Sequence, residues 1–268
     1  MLNMGWFSTG RGDGSMALLE AVYRAIQDGS LDARIEFVFT NRQPGEAEGS
    51  DRFIDRIKQY DLPLISLSSS IFRRVHGGGT FEKHRLAFDR EVMGLLEQYT
   101  PDICVLAGYM LIAGPEMSRR YTMINLHPAL PDGPVGTWQD VIWQLIENRS
   151  QVAGAHIHVA TDDLDRGPVL TYYSFPIDGP EIGSYWNQVS NRSIEDIKSA
   201  EGETLPLFKF IREEGVKREN MLVVATLQAL ARGEIRVRGA EAQDSQGRPI
   251  SGFSLNQAIE SGLSGPPQ

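Results

Sequence analysis

Short apolar stretches alternate with stretches of helical spacing through the first half of the chain. The apolar stretches predict strands at residues 1–8, 33–40, 62–67 and 101–107. Apolar residues three or four positions apart predict helices at residues 16–26, 52–60 and 86–99. The polar residues 68–83 include three successive glycines and predict a locally basic loop.

The second half has strand-like stretches at residues 123–127, 153–160, 167–175 and 234–238, and helical stretches at 138–148, 206–212 and 217–231. Because strands and helices alternate, we expect right-handed crossovers and a parallel sheet. We expect residues 167–175 to form a strand that pairs antiparallel with residues 153–160. The predicted fold class is therefore α/β, a Rossmann-like, mostly parallel sheet flanked by helices, with an antiparallel addition in the second half.

Composition limits the function classes. A chain of 268 residues with 41% hydrophobic content can bury a large core. The formal net charge of −9 argues against general nucleic-acid binding. The single cysteine, Cys104, lies in an apolar run, so we expect a buried core residue in a protein without internal disulfides. With neither a signal peptide nor a membrane-spanning run, we expect a soluble, cytoplasmic protein without membrane contact.

Polar residues with catalytic potential follow two of the predicted strands. Asn125 and His127 are two positions apart, so an extended strand directs both side chains to one side. Asp165 lies on a turn punctuated by glycine and proline after the next strand. Taken singly, each has an ordinary interpretation: a structural histidine before proline, a capping asparagine and a solvated acidic loop. Together they predict an amide, an imidazole and a carboxylate in one cavity.

Two further patterns suggest ligand sites. Residues 9–15 form a glycine-rich turn between a strand and a helix, a geometry that directs backbone N–H groups at an anion, although the spacing matches neither a P-loop nor a dinucleotide fingerprint. His156 and His158 alternate on one face of a strand. No third ligand follows at a recognisable zinc spacing, so we predict no metal and interpret His158 as a residue beside the cavity.

The ordered set of motifs resembles the folate-dependent formyltransferases, and within that family the members of purine biosynthesis and one-carbon metabolism. The set comprises the glycine-rich loop, Ala107-Gly-Tyr-Met110, Asn125-Leu-His-Pro128 and Leu164-Asp-Arg-Gly-Pro168. The resemblance extends well over residues 1–177 and more loosely over 210–250. It implies transfer of a formyl group from 10-formyltetrahydrofolate to a small amine.

In such a reaction Asn125 would donate an N–H to the oxyanion, His127 would donate or relay a proton, and Asp165 would orient and charge-stabilise the imidazole. Hydrolysis of formyl-folate and non-catalytic ligand binding remain as alternatives. The resemblance implies folate contacts at Met110, Leu111, Ile112, Ala113, Thr161, Asp162 and Leu164. Without it, the residues of 110–113 would be interpreted as core. It implies acceptor contacts at Gly12, Asp13, Gly14, Ser15, Gly108 and Glu219. For Glu219, an acid favoured by a helix N-terminus is the ordinary alternative.

Two positions depart from the family pattern. Asp13 stands where the family loop has asparagine, and Leu111 stands where the family often has arginine. If Asp13 faces the ligand, it repels a phosphate, and we favour an altered acceptor on this ground. If Asp13 faces solvent, Arg11 or one of the arginines in residues 68–83 can still bind phosphate.

The family pattern also sets the expected domain organisation. We predict one formyltransferase-like domain at residues 1–250, with an insertion at about 178–203, followed by a C-terminal tail at 251–268 whose end, 264–268, is frayed. The expected partners are folate and a small amine, and a homodimer is left open.

Overall fold

The computed structural model describes residues 1–161 and 163–263 of the chain. The strands are β1 (Leu2–Ser8), β2 (Ala33–Thr40), β3 (Leu64–Ser66), β4 (Ile103–Leu106), β5 (Met123–His127), β6 (Val152–Val159), β7 (Val169–Pro176), β8 (Ile235–Arg238), β9 (Glu241–Asp244) and β10 (Phe253–Ser254). The helices are α1 (Asp13–Gln27), α2 (Glu48–Gln59), α3 (Ser69–Val75), α4 (Arg85–Leu95), α5 (Pro115–Arg120), α6 (Trp138–Glu147), α7 (Gly183–Val189), α8 (Ile194–Ala200), α9 (Pro206–Ala231) and α10 (Asn256–Leu263).

The main sheet has eight strands in the order β10-β7-β6-β5-β4-β1-β2-β3. Five neighbouring strands of this sheet, β3, β2, β1, β4 and β5, pair in parallel. β6 pairs antiparallel with β5 and with β7, and β10 pairs in parallel with β7. β8 and β9 form a separate antiparallel pair. The predicted α/β class, with its antiparallel addition, is therefore confirmed.

Each face of the sheet has its own apolar cluster. One cluster contains Trp6 with residues of α1, α6 and α9, and the other contains Phe7 with residues of α4 and α5. Along β5, Met123 belongs to the α4/α5 face and Ile124 to the opposite face. Since side chains alternate along a strand, Asn125 and His127 follow Met123 on the α4/α5 face.

The predicted loop at 68–83 contains a helix, so that prediction was partly wrong. The Ser68 hydroxyl accepts a hydrogen bond from the Ile71 N–H at 3.0 Å and thereby caps α3. Phe72 is buried, which fixes one side of the helix against the core. Arg73 and Arg74 lie exposed in the last turn of α3. A 3-10 turn, Phe81–His84, follows the glycines.

The two helices predicted at 206–212 and 217–231 are one continuous helix, α9. Gly215 does not interrupt it, because tertiary packing on several sides outweighs the low helix propensity of one glycine. The Tyr173 hydroxyl also donates to the Gly215 carbonyl at 3.0 Å.

The segment predicted as a C-terminal tail includes β10 and α10. The Arg218 guanidinium pairs with Glu260 at 2.7 Å, and Ile259 is buried, so α10 is attached to α9. Residues 264–268, for which fraying was predicted, lie outside the described residues. Residues 178–203 contain α7 and α8, and their status as an insertion stays a prediction.

Among the described residues, no helix combines the length and the apolar character that crossing a membrane requires.

Candidate active site

The pairing of β5 with β6 brings the predicted catalytic residues together. Asn125 is opposite His158, and His127 is opposite His156. Asp165 approaches the same place from the turn between β6 and β7, with a backbone φ of 55°. Gly167 makes this turn possible, because a Cβ there would lie 1.8 Å from the Val159 carbonyl oxygen.

Asn125 is held by two side chains. Its Nδ2 lies 3.2 Å from Asp165 Oδ1 and 3.1 Å from His158 Nε2. The His158 Nδ1 lies 2.9 Å from the Val159 carbonyl. Since a carbonyl only accepts, Nδ1 carries a proton, and an unprotonated Nε2 can accept from Asn125. Both amide N–H groups of Asn125 therefore have protein acceptors.

The His127 imidazole lies between Asp165 and the loop that follows β5. Its Nδ1 is 3.7 Å from Asp165 Oδ2, and its Nε2 donates to the Pro134 carbonyl at 3.0 Å. Only 4% of His127 is exposed. One ring nitrogen thus faces the carboxylate, while the other is engaged by the loop.

The surrounding groups favour an ionised Asp165. The neighbouring His158, whose Nε2 lies 3.7 Å from Asp165 Oδ1, lowers the pKa of the Asp165 carboxyl; burial opposes this effect, and the His127 and His156 imidazoles add to it. Burial lowers the pKa of His156 to about 4, so this ring is neutral at neutral pH. Its Nδ1 donates to the Ala129 carbonyl at 2.7 Å, and its centroid lies 5.4 Å from that of His127.

A cavity of about 280 Å³ adjoins these residues. His127, His156 and Asp165 form its polar wall, and residues of the loop after β5 form its rim. The rim and the remaining wall comprise Leu130, Pro131, Asp132, Gly133, Val135, Arg166, Gly167 and Val169. A ligand in this cavity would contact the imidazole and the carboxylate together.

The residues assigned to folate lie in two nearby loops. Met110, Ile112 and Leu164 are 51%, 38% and 53% exposed, so these loops present apolar side chains to solvent. Leu111, Ala113 and Ala160 pack against the same apolar cluster on the α4/α5 face. The Thr161 hydroxyl donates to the Asp163 carbonyl at 3.3 Å. Asp162 lies outside the described residues.

The glycine-rich loop leads directly into α1. Gly12 is the N-cap and no side chain caps the helix, so the first backbone N–H groups are available to an anion. The Asp13 side chain is 97% exposed and pairs with Arg52 at 3.2 Å. As the first residue of the helix, Asp13 projects outward, which matches the solvent-facing alternative, and its contact with the acceptor stays a prediction.

The other residues predicted to contact the acceptor lie close to one another. A Cβ on Gly108, whose φ is 68°, would lie 2.3 Å from Ser15 Oγ. A Cβ on Gly14 would lie 3.2 Å from the Nη2 of Arg212, a residue that the sequence analysis did not single out. Arginines on helices are ordinarily surface residues, so the sequence carried no signal for it.

Arg212 connects the glycine-rich loop to Glu219. Its Nη1 lies 3.2 Å from Glu219 Oε1, and its guanidinium stacks on Trp138 at 4.4 Å from the ring centroid. Burial raises the pKa of Glu219, and the Arg212 charge opposes this effect. Glu219 lies far inside α9, so stabilisation by the helix N-terminus does not explain it. A small cavity is shared by Glu219, Arg212, Trp138 and Pro128.

No group of histidine, cysteine and carboxylate side chains among residues 1–161 and 163–263 has an arrangement that could hold a metal ion.

Comparison with known proteins identifies a family. The formyl transferase family model matches residues 12–192. Phosphoribosylglycinamide formyltransferase of Escherichia coli is 30% identical over 167 residues, 61% of this chain and 70% of that protein. Formyltetrahydrofolate deformylase of E. coli is 28% identical over 144 residues, 53% of this chain and 44% of that protein. The Coxiella burnetii phosphoribosylglycinamide formyltransferase structure has a TM-score of 0.67 at 22% identity, covering 94% of this chain and 98% of that one.

Because the pKa of Asp165 is lowered in the folded protein, we predict that its contribution to the free energy of unfolding depends on pH. Above its unfolded pKa of 3.8 the ionised carboxylate stabilises the fold, and this contribution is lost as pH falls through the lower folded pKa. Asp165→Asn should therefore cost most free energy of unfolding near neutral pH and progressively less below about pH 4. Urea denaturation across this range measures the difference. Asp163→Asn, the same change on an exposed side chain of the same turn, is the control, and a cost for Asp165→Asn that does not vary with pH would contradict the assignment.

Proposed function

Because the chain belongs to the formyl transferase family, we propose that it transfers a formyl group from 10-formyltetrahydrofolate to the amine of a small acceptor, as phosphoribosylglycinamide formyltransferases do. The observation that carries the proposal is the contact of Asn125 and His127 with one carboxylate, Asp165, beside a cavity. Amide, imidazole and carboxylate are the groups that such a transfer requires.

Asp165 serves as the proton acceptor of the reaction. The amine attacks the formyl carbon, and its N–H proton passes to the ionised carboxylate through a water. His127 donates a proton to the departing folate nitrogen, for which its Nε2 must leave the Pro134 carbonyl. The C–N bond to the acceptor forms and the C–N bond to folate breaks. Asp165 takes up one proton and His127 releases one.

Asn125 stabilises the oxyanion. Transfer of the amine proton to Asp165 makes one Asn125 N–H available for this role. Both of its N–H groups are engaged, one of them by Asp165. A protonated carboxyl is a weaker acceptor than a carboxylate. Once Asp165 takes the amine proton, the N–H that it held becomes available to the developing oxyanion. The oxyanion contact therefore strengthens as the tetrahedral intermediate forms, which is the stage at which it lowers the barrier.

The folate binds across the two loops on the α4/α5 face. Exposed Met110, Ile112 and Leu164 supply apolar surface for the pterin, and backbone groups near Thr161 supply polar contacts. Leu111 packs on the core instead of contributing a charge. An apolar slot with a few polar groups at its edge is a common form of cofactor site.

The acceptor binds on the other side of Asn125, with an anionic group at residues 12–15. The exposed carboxylate of Asp13 is paired with Arg52, so the repulsion that favoured an altered acceptor is weakened by solvent and by this pairing. Arg212 adds a positive charge close to Gly14, and Glu219 is an acceptor for a hydroxyl or amine. These features support a phosphorylated amine such as glycinamide ribonucleotide.

Hydrolysis of formyl-folate is the second candidate, favoured by the similarity to formyltetrahydrofolate deformylases. The same three residues would activate water in place of an amine. Formyl-folate labelled in its formyl group separates the two reactions. The proposal expects the label in glycinamide ribonucleotide, whereas label that appears in formate when the amine is present would favour hydrolysis.

His127→Ala and Asp165→Asn should each lower the rate of formyl transfer by at least about a hundredfold, because each removes a group that moves or accepts a proton. The measurement is the initial rate of label transfer, with circular dichroism to verify folding. His76→Ala removes an exposed imidazole elsewhere and serves as the control. A near wild-type rate in either site variant would exclude that residue from the mechanism.

Asp13→Asn should change the KM for glycinamide ribonucleotide by less than about twofold, because screening by solvent weakens the interaction of an exposed charge with a bound phosphate. Steady-state kinetics of both proteins with this acceptor provide the measurement. An improvement of about tenfold or more in the variant would mean that the carboxylate meets the phosphate in the complex.

A further inference from the structure

The candidate folate segment, residues 108–114, is attached at both ends by buried side chains. At the first end, Thr9 donates its backbone N–H to the Gly108 carbonyl at 3.0 Å and accepts the Met110 N–H through its hydroxyl at 2.9 Å. At the second end, the Gly114 N–H donates to Asp89 Oδ2 at 2.6 Å. Thr9 is 1% exposed and Asp89 is 2% exposed.

Asp89 is an unusual residue for this location. It lies on α4 beside Phe88 and one turn before Val92, which both belong to the apolar cluster of this face. A Cβ on Gly114 would lie 2.7 Å from its Oδ2, so α4 and the segment are in close contact at this point. The position costs free energy, since a buried carboxylate with one backbone donor is poorly compensated. Such a cost is commonly retained where a residue serves function.

We propose that Asp89 is a positioning residue whose ionised carboxylate holds the end of the segment 108–114 in the conformation that receives the folate. This inference rests on the proposed function. The ionised form matters because a carboxylate binds an N–H more strongly than a neutral amide or carboxyl oxygen does.

The groups around Asp89 come from three elements. Arg85 lies one turn earlier on α4, Glu116 lies on α5, and Tyr109 lies on the segment itself, its buried hydroxyl without a hydrogen-bond partner in the described part of the chain. Burial raises the pKa of Asp89 to about 6, while the Gly114 N–H and Arg85 oppose this effect and Glu116 reinforces it. The carboxyl is therefore ionised at neutral pH, but at a cost to folding.

The folding cost of the ionised Asp89 carboxylate allows an experiment to distinguish a positioning role from a merely structural one. Since the folded pKa lies above the unfolded value of 3.8, stability from this group falls as pH rises from about 4 to about 6. Asp89→Asn keeps the shape and an acceptor oxygen but removes the charge. The variant should therefore be more stable than the wild type at pH 8, and yet hold the segment more weakly. A structural residue would change stability and binding in the same direction.

The experiment compares wild type and Asp89→Asn at pH 8 in three measurements. Urea denaturation should show a gain in stability that disappears below about pH 4. Hydrogen exchange should be at least about threefold faster at the Gly114 amide, since its acceptor is weaker. Kinetics should show a KM for 10-formyltetrahydrofolate raised about fivefold or more, with kcat within about twofold. The wild-type KM should rise as pH falls through about 6, and the variant's should not.

Asp102→Asn is the control, because Asp102 also accepts one backbone N–H, from Asn3 at 2.8 Å, but is exposed and precedes β4, at the opposite end of that strand from the segment. It should leave the KM unchanged. Wild-type exchange at Gly114, a wild-type KM in the variant, or a joint loss of stability and binding would each overturn the proposal. If the wild type neither transfers nor hydrolyses the formyl group, the proposed function fails, and exchange at Gly114 alone decides whether Asp89 holds the segment.

Discussion

The candidate site depends on the register of β5 against β6. Asn125 faces His158 and His127 faces His156 only because these strands pair antiparallel at this alignment. A slip of one residue would turn Asn125 and His127 to the opposite face of the sheet, away from Asp165. The register is fixed by burial: a slip would place the polar side chains of Asn125 and His127 in the apolar cluster that contains Ile124, and burying polar groups without hydrogen-bond partners is costly.

Much of this arrangement could be predicted from the sequence, because it follows from local periodicity. Two-residue spacing placed Asn125 with His127 and His156 with His158, and glycine with proline marked the turn that carries Asp165. The alternation of strands and helices predicted the parallel sheet, and residues 167–175 were predicted as its antiparallel addition. The resemblance in motif order then indicated formyl transfer as the reaction. The match to the family model over residues 12–192 confirmed the family.

The remaining features are tertiary and have no local signal. The break predicted between 206–212 and 217–231 does not occur, because packing around α9 outweighs the low helix propensity of Gly215. The direction of Asp13 depends on where α1 begins, and a helix start is uncertain by a residue or two from sequence. Arg212 and Asp89 matter only through what they approach, the glycine-rich loop and Gly114, each from a distant part of the chain. Sequence spacing does not report such approaches.

The central claim is that formyl-folate lies across residues 108–113 and the turn that carries Asp165, with its formyl carbon at Asn125 and His127. Hydrogen exchange of the purified protein with and without a non-hydrolysable folate analogue tests this claim most directly. The account predicts protection of residues 108–113 and of the turn at 163–165, with little change in β8 and β9, the separate strand pair. Protection confined to another region, with these two loops unaffected, would contradict it.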